Sequence, residues 1–367
     1  GAAACAAAGL VHGPAAQPQP QPRAALRVTQ LLDMSASQQE LSRDYSTGVR
    51  LAFAQLRPSQ PQLPQLVTLA TDGSDAGVQE AVRAVSEDAS QLALLGTVGE
   101  SLALRAMAAM QGGRVEMAHI APWLSDTRHD RDPRLLPLFA SREQQLHYAL
   151  HNIASMGVGE LALVYPEADA ARRMAGDAEA LASSLRVKVR VLAPAPGQAL
   201  AAFAARLPAE APFFLVFVGA SVELAQFTSG LGMRGARHQL VCLSGVDPAT
   251  YTQLVSGPRV PVVFTQVVPN VHTGRVPMVR AYRQALSRLF DEQPSPVSLA
   301  GYVAGRYAAQ VFARLGGAPT RAQVLAETGQ RRATSIDEWP LNFASGGRGS
   351  SFVDQVLLNA KGDFVGT

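Results

Sequence analysis

The residues with the clearest capacity for chemistry are Thr97-Val98-Gly99-Glu100-Ser101, a loop between an apolar run and a helical stretch. Unbonded backbone N–H groups and the helix dipole at such a junction favour a carboxylate or another anion. The simpler alternative is that Ser101 only caps the helix and Gly99 only turns the chain. The Gly-x4-Gly-Lys-Ser/Thr pattern of a phosphate loop is absent. Glu100 is expected to face solvent in the first helical turn. Trp123, at the end of another apolar run, either stacks on an apolar or cationic ligand or packs between lobes. Asp72 or Ser74 is expected to cap the helix that follows, and capping is the expected role of Asp72 rather than ligand contact. His147 and His151 stand four residues apart, half of a metal site, but no Glu of a zincin helix accompanies them, so a solvated helix face is expected. No Gly-x-Ser-x-Gly elbow occurs, and Gly230-Leu231-Gly232-Met233-Arg234-Gly235 ends a helix instead of following a strand. These residues predict binding rather than turnover, with no catalytic group, metal or cofactor.

The elements that position them follow a rhythm. Short apolar runs (Leu26–Leu32, Leu66–Thr71, Leu92–Gly96, Val115–Ile120, Leu161–Tyr165, Val187–Leu192, Phe213–Val218, Leu240–Leu243 and Val260–Val263) alternate with longer amphipathic stretches. Runs rich in Val and Leu without period-two alternation predict strands of parallel sheets buried on both faces. The fold class is therefore α/β, with ligands bound beyond the carboxyl ends of the strands. Helices are expected over Asp44–Leu56, Leu102–Met110, Glu143–Met156, Ala168–Leu185, Val276–Phe290, Ser298–Leu315 and Arg321–Thr328, the last capped by Thr320. The charged, proline-punctuated stretch Asp126–Arg134 reads as the first passage to a second lobe, and Val260–Val268 as a crossing back. A closing hairpin is expected from Leu341–Phe343 and Val353–Leu358, with Asn359–Gly362 as the last turn. Two Rossmann-like lobes with parallel sheets flanked by helices result: residues 24–138 with 266–335, and residues 139–265 with 336–367.

A chain of 367 residues suits two such cores. The net charge of +3 comes from scattered arginines without a basic stripe, which argues against nucleic acid. Cys242 reads as a small core hydrophobe, and two cysteines cannot make a metal site. The small-residue segment 1–9 and the Pro/Gln stretch 14–22 suit an exported protein on an extended tether, residues 1–23, with Cys5 a candidate lipidation remnant.

The order of these elements resembles the type I periplasmic solute-binding proteins, in particular the leucine/isoleucine/valine-binding receptors of ABC importers. The carriers are Tyr45-Ser46-Thr47-Gly48-Val49 opening the first helix, Leu95–Ala103, Ile120-Ala121-Pro122, Gly301-Tyr302-Val303-Ala304 and Asn359–Phe364. The resemblance implies a hinged pair of lobes closing on a small molecule, delivery to ABC permease subunits in the membrane, a periplasmic location and a monomer. It also implies a carboxylate held by first-lobe hydroxyls (Thr97, Ser101, Ser125) and an acid after Leu240–Leu243; Ser244 stands nearest that acid, with Asp247 shifted. The expected contacts are Ser35, Ser37, Leu41, Thr97, Gly99, Ser101, Trp123, Ser125, Tyr165, Ser221 and Ser244. So hydroxyl-rich a set, poor in charge, suggests a neutral or weakly anionic ligand, aromatic or branched aliphatic. The other expectation is an envelope sensor or scaffold of the same fold that binds a partner protein.

Overall fold

The computed structural model describes residues 25–366, apart from 256–259, 273–274, 291, 344–346 and 360–363. The tether, Cys5 and the Asn359–Gly362 turn thus lie wholly or largely outside the described residues.

The first sheet is parallel and built from β1 (Arg27–Asp33), β2 (Gln65–Thr71), β3 (Gln91–Leu95), β4 (Ala118–Ile120) and β5 (Leu135–Leu136), in the order β2-β1-β3-β4-β5. Helices α1 (Gln39–Leu56), α2 (Asp75–Glu87) and α3 (Glu100–Gly112) connect its first four strands. Neighbouring β1 residues point to opposite faces: Leu32 enters the core shared with α1, and Leu31 the core shared with α2 and α3. After β5, α4 (Arg142–Ser155) opens the second unit, followed by β6 (Glu160–Val164), α5 (Ala168–Ser184), β7 (Lys188–Leu192), α6 (Leu200–Ala205), β8 (Phe214–Phe217), α7 (Ser221–Leu231), β9 (Gln239–Cys242), α8 (Pro248–Leu254) and β10 (Val262–Gln266). The chain then returns to the first core with α9 (Pro277–Leu289), α10 (Pro296–Leu315) and α11 (Arg321–Gly329). The second sheet carries two antiparallel strands, β13 (Asp354–Leu358) and β14 (Phe364–Gly366), on the β10 edge of an otherwise parallel set.

Several expectations change. Asp126–Arg134 does not leave the first unit. Asp126 and Asp132 clasp Arg128 and Arg134 in paired hydrogen bonds, and the chain adds β5 to the first sheet before crossing. That two-residue strand lies between Pro133 and Pro137, which hides it from any periodicity. The tail is not one hairpin. Thr334–Ile336 (β11) pairs with Trp339–Leu341 (β12) through a tight turn with Asp337 and Glu338 both at positive φ, while β13 runs on to the second sheet. The apolar side chains of that hairpin, Ile336, Trp339 and Leu341, pack in the first core, although residues from 336 onward were expected with the second lobe. Helix α1 begins at Gln39 rather than Asp44, because Ser35 O accepts the Gln38 and Gln39 N–H groups at 3.0 Å. Of the two expected cap candidates, Ser74 caps α2 by accepting from Gly77 N at 3.1 Å, and Asp72 accepts from the Ser74 N–H and hydroxyl. Thr320 caps α11 as expected.

Two of the motifs behind the resemblance meet in space. A Cβ at Gly48 would collide with the Ser298 carbonyl, and one at Gly301 with the Tyr45 carbonyl, so α1 and α10 touch backbone to backbone. Only glycine permits that approach.

Candidate functional site

Both sheets end at one cleft. In the first sheet the strand order reverses between β1 and β3, and in the second between β6 and β8. Ligands bind at such switch points, outside the carboxyl ends of the strands. Ser35 and Gly99 follow the first pair of strands; Pro166 and Gly219 follow the second; all four line one cavity of about 940 Å³.

Of the expected contacts, Ser35, Ser37, Leu41 and Gly99 line this cavity, as do Ser101, Trp123, Ser125 and Ser244. Three do not. Thr97 is fully buried and its Oγ1 stands 2.7 Å from His119 Nε2. Tyr165 is buried in the second unit's core, where its hydroxyl has no partner among the described residues and burial pushes its pKa up to about 12. Ser221 bonds with the Asp247 backbone, accepting from its N–H at 2.9 Å. A β-strand places side chains alternately, and the spacing of the loops does not show which hydroxyl turns inward.

The α3 N-terminus opens onto the cavity. Gly99 at φ +100° opens the helix without a side-chain cap, so the first-turn N–H groups have no side-chain acceptor. Glu100 stands beside them and does not simply face solvent as expected: it accepts hydrogen bonds from the Ser125 hydroxyl and from Arg142 of α4. Arg142 also stands 3.9 Å from Asp126, and its own N–H donates to Ser125 O at 2.9 Å. Trp123 forms the apolar wall, its ring 5.8 Å from Tyr45 and 5.6 Å from Phe139. The Tyr45 hydroxyl donates to Ala121 O at 2.7 Å, fixing the turn that aims Trp123.

The cavity is not poor in charge. Arg105, Arg128, Arg142 and Arg173 line it, with seven acids: Asp33, Asp72, Glu100, Asp126, Glu143, Asp177 and Glu223. Sequence reading missed most of them because they come from helices (Arg105, Arg142, Arg173, Asp177, Glu223) and from the loop that holds Asp126 and Arg128, where no local pattern shows that a side chain reaches the cleft. Asp247 is no ligand contact: it is buried and caps α8 by accepting from Thr250 N at 2.7 Å. The second unit presents Glu143 of α4, Asp177 of α5 and Glu223 of α7; Glu223 accepts from Ala220 N at 2.7 Å, and burial raises its pKa. Gln145 ties the second unit together, accepting from Ser244 N at 2.8 Å and from the Thr265 hydroxyl at 2.9 Å.

A family profile described as periplasmic binding protein matches residues 25–341. The chain belongs to the periplasmic binding protein family. Solved structures agree with that fold. A substrate-binding periplasmic protein from Ralstonia solanacearum shares 20% identity over 93% of this chain and 100% of that one, with a TM-score of 0.79. The branched-chain amino acid transporter substrate-binding protein of Streptococcus pneumoniae, solved with isoleucine, shares 12% over 93% and 97%, with a TM-score of 0.75. A solute-binding protein of an ABC transporter from R. palustris, solved with benzoate, shares 14% over 93% and 95%, with a TM-score of 0.71. A comparison with curated proteins finds no match. Periplasmic binding proteins are receptors for small molecules that work with ABC transporters, are not enzymes, and are typically exported. Among the described residues of this periplasmic binding protein, no helix is long and apolar enough to cross a membrane, and no group of three His, Cys, Asp or Glu side chains is placed to hold a metal. His147 and His151 stack on each other along α4.

Proposed function

We propose that this periplasmic binding protein is the exported, monomeric receptor of an ABC importer and that its ligand is a small organic carboxylate with an aromatic or branched aliphatic body. The observation that carries the reading is the uncapped N-terminus of α3 at the β1/β3 switch point, beside the Trp123–Phe139 wall. The amides and the Ser101 hydroxyl take the carboxylate, while Arg142 neutralises the Glu100 charge that would otherwise repel it. Trp123 and Leu41 take the apolar body. Residues 25–140 with 267–343 form one lobe, and residues 141–266 with 354–366 the other, following the cores that their side chains share. Three passages of chain link the two, and closure over the ligand is a hinge motion about them. Isoleucine and benzoate, bound by the two neighbours named above, both pair a carboxylate with a small apolar body.

A second reading, an α-amino acid, has one observation in its favour: Glu223 in the cavity can face an ammonium group. A thermal-shift screen separates the two. Benzoate, phenylacetate and isovalerate are expected to raise the melting temperature while leucine, isoleucine and valine do not. The reverse pattern assigns Glu223 the ammonium and overturns the first reading.

A further inference from the structure

Asp33 ends β1 at the switch point of the first sheet, lines the interlobe cavity and is 4% exposed. Its Oδ1 accepts from Ser35 N at 2.9 Å; among the described residues Oδ2 accepts no hydrogen bond, and no cation pairs with either oxygen. Two glycines make room for the side chain. A Cβ on Gly73, at φ +76°, would stand 2.7 Å from Oδ2, and a Cβ on Gly99 would stand 3.9 Å from Asp33 Cβ. Pairing of Leu32 with Val98, one residue before each, sets Asp33 beside Gly99. Arg105 of α3 lines the same cavity but is engaged elsewhere: it pairs with Asp75 at 2.6 Å and donates to Gly73 O. A carboxyl oxygen that lacks a donor therefore stands next to first-turn amides that lack a side-chain acceptor.

We infer that Asp33 selects a ligand with a hydroxyl beside its carboxylate, a 2-hydroxy acid. The inference rests on the proposed carboxylate site at the α3 N-terminus and narrows its ligand class. A carboxylate at those amides meets the like charge of Asp33. A hydroxyl on the adjoining carbon puts an O–H between the two: it donates to Oδ2 while the ligand carboxylate keeps the amides. A plain carboxylic acid leaves Oδ2 without a donor in the closed cleft, at the cost of desolvating a charged group. An ammonium on the same carbon is a poorer match, because one open oxygen takes one of its three N–H groups.

The test is calorimetric titration of matched pairs into the wild-type protein, Asp33→Asn and Gly73→Ala. The pairs are mandelate with phenylacetate and 2-hydroxyisovalerate with isovalerate, each hydroxy acid as both enantiomers, with valine beside them. Asp33→Asn keeps the shape and the bond from Ser35 N but removes the charge; Gly73→Ala crowds Oδ2 and leaves Asp33 in place. In the wild type each hydroxy acid is expected to bind about tenfold or more tighter than its plain partner. Asp33→Asn is expected to close most of that gap from both ends, weakening the hydroxy acids and strengthening the plain acids, which no longer face a like charge. Gly73→Ala is expected to narrow the gap as well, and it serves if Asp33→Asn fails to fold. A purely structural role would weaken both members of a pair alike and keep the gap. Equal affinities within the wild-type pairs, or a gap that survives the substitutions, overturn the role of Asp33 alone and leave the carboxylate reading standing. Valine binding more tightly than 2-hydroxyisovalerate makes the donor an ammonium and overturns the hydroxyl. Failure of every acid to bind overturns the carboxylate reading and this inference with it.

Discussion

Glu100 and Arg142 meet across the cleft. The Glu100 carboxylate, in the first turn of α3, accepts a hydrogen bond from the guanidinium of Arg142, in the first turn of α4. The two helices pack in different cores, so the pair links the N-terminus of α3 in one unit to the first helix of the other. Arg142→Ala leaves Glu100 and Asp126 without this cation. Stability is expected to fall by about 1–3 kcal/mol in urea unfolding, and carboxylate affinity by about tenfold or more, because an uncompensated charge then stands at the anion site. Unchanged carboxylate affinity in this variant would show that Arg142 does not neutralise Glu100.

Arg348 holds the last passage between the units. It is buried at 3% exposure, pairs with both Asp130 carboxylate oxygens at 2.8 and 2.9 Å, and donates to the Leu124, Asp126 and Phe139 carbonyls. Arg348→Ala strands the Asp130 carboxylate, whose pKa burial already raises, and is expected to cost about 3–5 kcal/mol. The double variant Arg348→Met, Asp130→Leu is expected to recover a substantial part of that loss, which paired unfolding titrations would detect.

The buried His119 and the half-buried Asp44 tilt stability with pH in opposite directions. Burial holds the His119 pKa down at about 3, so between pH 6.5 and 3 the unfolded chain binds the proton and the folded one does not. Stability is therefore lost as pH falls through that window, by up to about 1.4 kcal/mol per pH unit. Asp44, beside Ser295, is pushed up to about 6, chiefly by burial. Its folded form binds the proton more readily, so its term is favourable at low pH and fades as pH rises through about 6. His119→Gln is expected to flatten the acid side of the stability profile, and Asp44→Asn to raise stability at pH 7 by about 1–3 kcal/mol. Thermal melts of each variant from pH 4 to 8 check both signs; a wild-type acid slope retained in His119→Gln would refute the assignment to His119.

The sheets were legible because Val- and Leu-rich runs such as Leu92–Gly96 are buried on both faces and leave a continuous apolar signature. The cleft was legible at second hand, since strand order decides where loops converge and Gly99-Glu100-Ser101 carries its own helix-start chemistry. The arginines were not. Arg142 and Arg348 act through partners 42 and 218 positions away in sequence, and no local pattern encodes such a meeting. Hydroxyls failed differently: Thr97 reads like Ser101, yet one residue turns into the core toward His119 and the other toward the cleft. Gly48 and Gly301 were noticed as motif letters, whereas their reason, a backbone contact between α1 and α10, is visible only in three dimensions.

The most direct measurement is calorimetric titration of a small aromatic or branched carboxylate into the wild-type protein and into Ser101→Ala and Gly99→Ala. A saturable 1:1 isotherm is expected for the wild type. Loss of the hydroxyl bond to a charged ligand, or strain at a φ of +100°, is expected to weaken binding by about tenfold or more in each variant. Carboxylate binding that is equally tight in both variants, or absent from the wild type, would contradict the account of an anion held at the start of α3.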